Sequence, residues 1–141
     1  MKEKGFSNKE IIGEIPASAD RKSSIIAVIN KIAELEENWD SLGARKPNKD
    51  AVRNAINLVN VLPEDILQCL DPEDVYPSTY GSLVLDFETE KGIVSVETGD
   101  ESMGFYTDYN IRHPDYAFEG FSTDFTTGAP VSLLKYLSVL T

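Results

Sequence analysis

The residues of this chain whose types and spacing could do chemistry are mostly carboxylates. Asp86, Glu88 and Glu97 fall at alternating positions in two neighbouring apolar stretches, and Asp100 and Glu101 follow in a turn. Alternation sends successive side chains to opposite faces of a strand, so these three acids point to one side of a sheet once the stretches pair. Like charges gathered on one face repel by an amount on the order of tenths of a kcal/mol, which a bound counter-charge would relieve. Such a patch can hold a hard cation, act as a general acid and base, or meet a basic protein. No stretch has the spacing of a calcium loop. Acid–base work needs a cleft and one carboxyl with a raised pKa, and no pattern in the chain calls for either. The expectation is a binding surface with no catalytic residue, no metal and no cofactor.

Aromatic residues extend this patch. Tyr106, Tyr109, Tyr116, Phe118, Phe121 and Phe125 are interleaved with Asp108, Asp115 and Glu119. Aromatic faces beside acids suit a cationic ligand, although aromatics are also good strand formers. The candidate binding set is therefore Asp86, Glu88, Glu97, Asp100, Glu101, Tyr106 and Tyr109. His113, in Arg112-His113-Pro114-Asp115, is the only histidine and reads as a turn residue. No Gly-x-Ser-x-Gly sequence supports a serine nucleophile, and no phosphate-binding glycine loop is present. Cys69 is the only cysteine, so no intramolecular disulfide can form; between Leu67 and Leu70 it reads as a small core residue. Arg45, Lys46, Lys49 and Arg53 form the one basic cluster, a weak nucleic-acid signal in an acidic chain.

Charge is distributed unevenly. The net charge is −11, yet residues 1–60 carry 10 Lys/Arg against 9 Asp/Glu, whereas residues 61–141 carry 3 against 15. An acidic half repels phosphate backbones and anionic lipids and attracts basic proteins. Nucleic-acid and membrane partners are therefore not expected. The opening residues are polar, no apolar run approaches the ~20 residues that span a bilayer, and the expectation is a cytoplasmic protein.

These residues have to be positioned by a fold, and the periodicities describe one. Residues 1–19 read as a loosely ordered arm, and residues 20–141 as one domain. A first helix, capped by Ser18 or Asp20, carries Ile25, Val28, Ile29, Ile32, Ala33 and Leu35 at three- and four-residue spacing and should end near Asn38. A second, capped by Asn48 or Asp50, buries Ala51, Ala55, Leu58, Val59 and Leu62 and stops at Pro63. A single helical turn fits residues 64–67. From Val75 the period becomes two: residues 83–88, 93–98 and 103–108 form a meander, with possible flanking strands at 75–79 and 116–125. For Leu83, Leu85, Phe87, Val94 and Val96 to share the buried side, the intervening loop must have even length. Pro130 opens a short last helix carrying Val131, Leu134, Leu137 and Leu140. Helices followed by strands predict an α+β fold: an N-terminal helical hairpin packed on a four- or five-stranded antiparallel sheet, with a short C-terminal helix.

The most distinctive local motif is Asn38-Trp39-Asp40-Ser41-Leu42-Gly43-Ala44. Trp39 is either a core closure or a binding anchor, Asp40 turns the chain, and Gly43 takes positive φ. With a proline and a helix following, the motif resembles the Asn-Trp-Asp-Gly-Tyr-Gly-Ala signature of a group of small bacterial proteins with no activity attached to it. The block Pro77-Ser78-Thr79-Tyr80-Gly81-Ser82-Leu83 is similar to that group's Pro-Thr-x-x-Gly-Gly run leading into a strand. The resemblance covers roughly residues 25–110 and implies a bacterial protein of this fold. The function expected from charge and composition is a non-catalytic binding protein that engages a basic partner through its acidic sheet side, like an antitoxin or immunity protein. Two alternatives are a small-ligand binder or hydrolase using the same carboxylates and tyrosines, and a homo-oligomer whose basic cluster meets another copy's acidic half.

Overall fold

A computed structural model describes residues 20–110 and 128–141 in full and residues 118–122 through their backbone. Helix α1 (Arg21–Ile32) starts at Asp20, whose Oδ1 accepts the Ser23 amide at 2.7 Å and satisfies an otherwise orphaned donor. Hydrogen bonds from Ser23 hold the Asp20 carboxyl below its ordinary pKa. Ile25, Val28, Ile29 and Ile32 form its buried stripe. The helix ends six residues before the expected limit. Glu34 and Leu35 close tight turns onto Lys31 and Ile32, and Asn38 takes φ +62°. Ala33 is consequently an exposed cap residue and Leu35 a half-buried loop residue.

Helix α2 (Lys49–Val61) is capped by Asn48, whose side chain accepts the amides of Asp50 and Ala51. Ala51, Ala55, Leu58, Val59 and Leu62 are buried as the spacing predicts. The one-turn helix α3 (Glu64–Leu67) and a 3-10 turn (Pro72–Asp74) lead into the sheet. Cys69 is buried beside them, and burial pushes its thiol pKa up.

The sheet comprises β1 (Val75–Pro77), β2 (Leu83–Thr89), β3 (Gly92–Thr98), β4 (Ser102–Tyr109) and β5 (Phe118–Ser122), antiparallel and in sequence order. Thr89 pairs with Gly92 across the two-residue loop Glu90-Lys91, which has the even length that the buried parity demands. Leu83, Leu85, Phe87, Val94 and Val96 are all fully buried. They share one core with the apolar stripes of α1 and α2; α1 also touches β1, and α2 touches β2 and β3.

Helix α4 (Val131–Ser138) follows Pro130. Its core residues are Leu133 and Leu137, joined by Leu140 just beyond it, whereas Val131 is 84% exposed and Leu134 is half-buried. The buried set runs i, i+4, i+7 from Leu133, so the expected face was one step out of phase at its start. The Phe105 and Tyr136 rings, 5.6 Å apart, fix α4 against the inner side of β4. No helix among the described residues is long and apolar enough to cross a membrane.

Candidate functional site

With the inner face committed to the core, the outer face of the sheet follows from the register. One cross-strand row is Tyr76, Val84, Glu97, Gly104 and Gly120; a second is Asp86, Ser95 and Tyr106; a third is Glu88, Ile93 and Asp108. Asp86, Glu88 and Glu97 thus meet on one surface, as their spacing suggests, and Asp108 joins them.

The four carboxyls are not equivalent. Asp86 is half-buried and tethered: Tyr76 Oη donates to Oδ2 at 2.8 Å and Ser95 Oγ donates to Oδ1 at 2.5 Å. Burial, and after it the Asp86 bond, raises the Tyr76 pKa far above its ordinary value, so Tyr76 is a hydrogen-bond donor and not a phenolate base. Ser95 is 7% exposed and its hydroxyl is directed at Asp86. His113, the one imidazole in the chain, lies outside the described residues, as do residues 1–19 and the aromatic side chains from Tyr116 to Phe125.

Glu97 is exposed but held at one end. Ser82 Oγ donates to its Oε2 at 2.5 Å, and Ser78 and Ser82 share a 2.6 Å hydroxyl–hydroxyl bond. A hydroxyl has one proton, so with the Ser82 proton given to Glu97, Ser78 must be the donor in that pair. Glu88 and Asp108 are exposed. Among the described residues no ion pair reaches Asp86, Glu88, Glu97 or Asp108; the two ion pairs found are Lys31–Glu34 and Arg53–Asp50.

Of the remaining expected site residues, one shares this face and three do not. Asp100 and Glu101 are exposed in the β3–β4 turn at the end of the sheet, where the Asp100 and Gly99 carbonyls accept from Asn54 Nδ2. Tyr106 is on the outer face and 43% exposed. Tyr109 does not belong to this surface. It pairs with Gly92, packs against the core and donates its hydroxyl to the Tyr136 carbonyl at 2.8 Å. The physical reason is parity: three residues from Tyr106, it must face the other way. No group of three or more metal-ligating side chains is assembled among the described residues.

The Trp39 motif lies in a separate loop. Asp40 is 2% exposed, and its Oδ1 accepts the amides of Leu42 (2.8 Å) and Ala44 (3.0 Å). Asn38 Oδ1 accepts the Gly43 amide, and the loop carries positive φ at Asn38, Ser41 and Gly43. Trp39 is half-buried, lies outside the hydrophobic core, and donates its indole N–H to the Arg45 carbonyl at 3.1 Å. Backbone bonds from Arg45 to Thr79 and from Asn48 to Gly81 clasp this loop to the β1–β2 connection. The clasp exposes Leu42 (79%) and Tyr80 (82%) beside Arg45, Lys46 and Lys49. The α2 terminus is no open anion site, since the Asn48 side chain takes two of its amides.

Two features of the outer face escape a motif search: the Ser78–Ser82–Glu97 chain and a hollow of about 270 Å³ over Gly104, lined by Ser95, Glu97, Ser102 and Tyr106. The chain joins residues from 78 to 97, which no local pattern connects. The hollow does have a signal, a glycine within an alternating strand. Compared with known proteins, the chain matches no family model, no curated protein and no solved structure.

Proposed function

We propose that this chain is a non-catalytic binding protein that engages a basic protein through the outer face of its sheet, in the manner of an antitoxin or immunity protein. The observation that carries the reading is the state of the carboxyls on that face. Glu88, Glu97 and Asp108 are exposed, and no cation of the described residues pairs with them. Unneutralised charge on one face both steers a basic partner and rejects an acidic one. The half-buried Asp86 accepts a hydroxyl on each oxygen, from Tyr76 and Ser95, which makes it a brace for the face.

The test is localisation of a cationic probe. A tetra-lysine peptide titrated into isotopically labelled protein should shift amides of β2, β3 and β4 around Glu88 and Asp108, and raised salt should abolish the shifts, because screening shortens the field to ~8 Å at physiological ionic strength. Glu88→Gln with Asp108→Asn should weaken the probe severalfold. The matched pair Glu34→Gln with Glu36→Gln, in the α1–α2 connection, should not. Equal weakening by both pairs, or shifts scattered over every acidic surface, would refute the reading.

A further inference from the structure

We infer that the hollow over Gly104 is a receptor for one arginine side chain of the basic partner. The inference rests on the sheet face being the docking surface and names the contact that would give it specificity.

Gly104 is the starting point. It lies inside β4, between Met103 and Phe105, whose side chains are buried on the inner face. A glycine within a strand weakens it, so a physical reason for its presence is needed. Positive φ is not the reason, since the glycines with positive φ among the described residues are Gly43, Gly81, Gly92 and Gly128. A side chain at 104 would project to the outer face, in the row of Glu97, on the side where the hollow lies. The neighbouring register position in β5 is also glycine, Gly120.

The walls identify the occupant. Its lining includes Tyr106, which is 43% exposed, and Glu97, whose carboxyl is aimed by Ser82. An exposed aromatic beside an oriented carboxylate is complementary to a planar cation, which can stack on a ring and donate a fork of N–H groups to the oxygens. Glu97 Oε1 has no protein donor among the described bonds, and Oε2 keeps acceptor capacity beyond the Ser82 bond. Arginine meets both walls at once, whereas lysine offers a point charge that cannot stack or fork. Size agrees. At about 270 Å³ the hollow falls just under the usual range for small-molecule pockets, which fits one inserted side chain. Ser95 and Ser102 at the margin supply further acceptors for guanidinium protons.

The experiment uses N-acetyl-arginine amide and N-acetyl-lysine amide as probes on the full chain, followed by amide shifts. The arginine probe should move Glu97, Gly104 and Tyr106 with millimolar affinity, and the lysine probe should bind at least about fivefold more weakly. Gly104→Val, which suits a strand, should abolish the arginine response in a variant whose amide spectrum shows the native fold. If that variant does not fold, Tyr106→Ala and Glu97→Gln, both at exposed side chains, should each reduce affinity about fivefold or more. Three results overturn the inference: equal binding of both probes, an unchanged response in Gly104→Val, or no shifts at these three amides. If those shifts are absent while tetra-lysine still binds around Glu88 and Asp108, the arginine receptor is wrong and the acidic docking face stands. If neither probe binds the face, both readings fall together.

Discussion

The hydroxyl of Tyr76 makes the stability of this protein fail in a particular way at alkaline pH. It donates to Asp86 Oδ2 at 2.8 Å, and burial together with that bond favours its neutral form. In the unfolded chain a tyrosine ionises at about pH 10. A folded-state pKa raised above that value means the hydroxyl's contribution is complete below about pH 10 and is lost as pH climbs from there towards the folded value. Tyr76→Phe keeps the ring and deletes the donor. A hydrogen bond to a charged acceptor contributes about 1.5–3 kcal/mol, and the half-exposed setting trims this to about 1–2 kcal/mol. At neutral pH the variant should therefore be less stable by about that amount. Above pH 10 the native protein loses up to about 1.4 kcal/mol per pH unit through this one group, so the gap should close within about one to two pH units. The other five tyrosines ionise in both proteins and cancel in the difference. Urea titrations at intervals from about pH 7 to 11.5, followed by the fluorescence of Trp39, the sole tryptophan, measure the gap directly. A gap that stays constant through pH 11, or that never exists, would refute the claim that Asp86 holds this hydroxyl protonated.

Two further outcomes test the loop that carries the Trp39 motif. Asp40→Ala should destabilise the fold by about 2–4 kcal/mol, because two amides lose their acceptor at a buried position, whereas Asp40→Asn retains the carbonyl oxygen and should lose less than about 1 kcal/mol; similar losses in the two chemical melts would mean that charge, not acceptance, matters. Trp39→Ala should lose about 1.5–2.5 kcal/mol, below the ~3–5 kcal/mol of a core aromatic, because the indole is half-buried outside the core and makes one backbone bond; a loss at the core level would place Trp39 in the cooperative core.

The sheet was legible because its signal is local and binary. Leu83, Leu85 and Phe87 alternate with Val84, Asp86 and Glu88, and a shift of one residue would expose the whole set, so parity and loop length constrain each other. The same rule separates Tyr106 from Tyr109, which a count of aromatics had merged into one surface. Parity from Met103 through Phe105 and Thr107 puts Tyr109 inside. Helix limits were less legible. The apolar stripe of α1 continues in sequence to Leu35, but the chain leaves the helix at Ile32 because the Asp40 carboxyl and the Asn38 side chain organise a competing loop. Asn38 and Ser41 take positive φ within that loop; Asn and Asp side chains bonding nearby amides are local turn signals, but the apolar periodicity continuing to Leu35 outweighs them in a sequence reading.

The candidate site was legible as charge and illegible as chemistry. The surplus of acids after residue 60 can be counted, yet the count gives each carboxyl equal weight. Structure sorts them by what they already hold. Asp86 has both oxygens occupied, by Tyr76 and Ser95. Glu97 has one oxygen tied to Ser82, while Glu88 and Asp108 stand exposed at the third row. Within this face the half-buried acid already accepts two hydroxyls and serves as a brace, while the partly tethered Glu97 has one oxygen open and is the best prepared. A carboxylate already oriented by a hydroxyl gives up little freedom when a second donor arrives, whereas Glu88 and Asp108 must each be ordered from solution. Long-range attraction then belongs to the exposed pair and register to Glu97, which lines the hollow over Gly104. Removing the exposed pair should therefore change how fast a basic partner arrives, and filling the hollow at Gly104 should change how long an arginine-bearing partner stays.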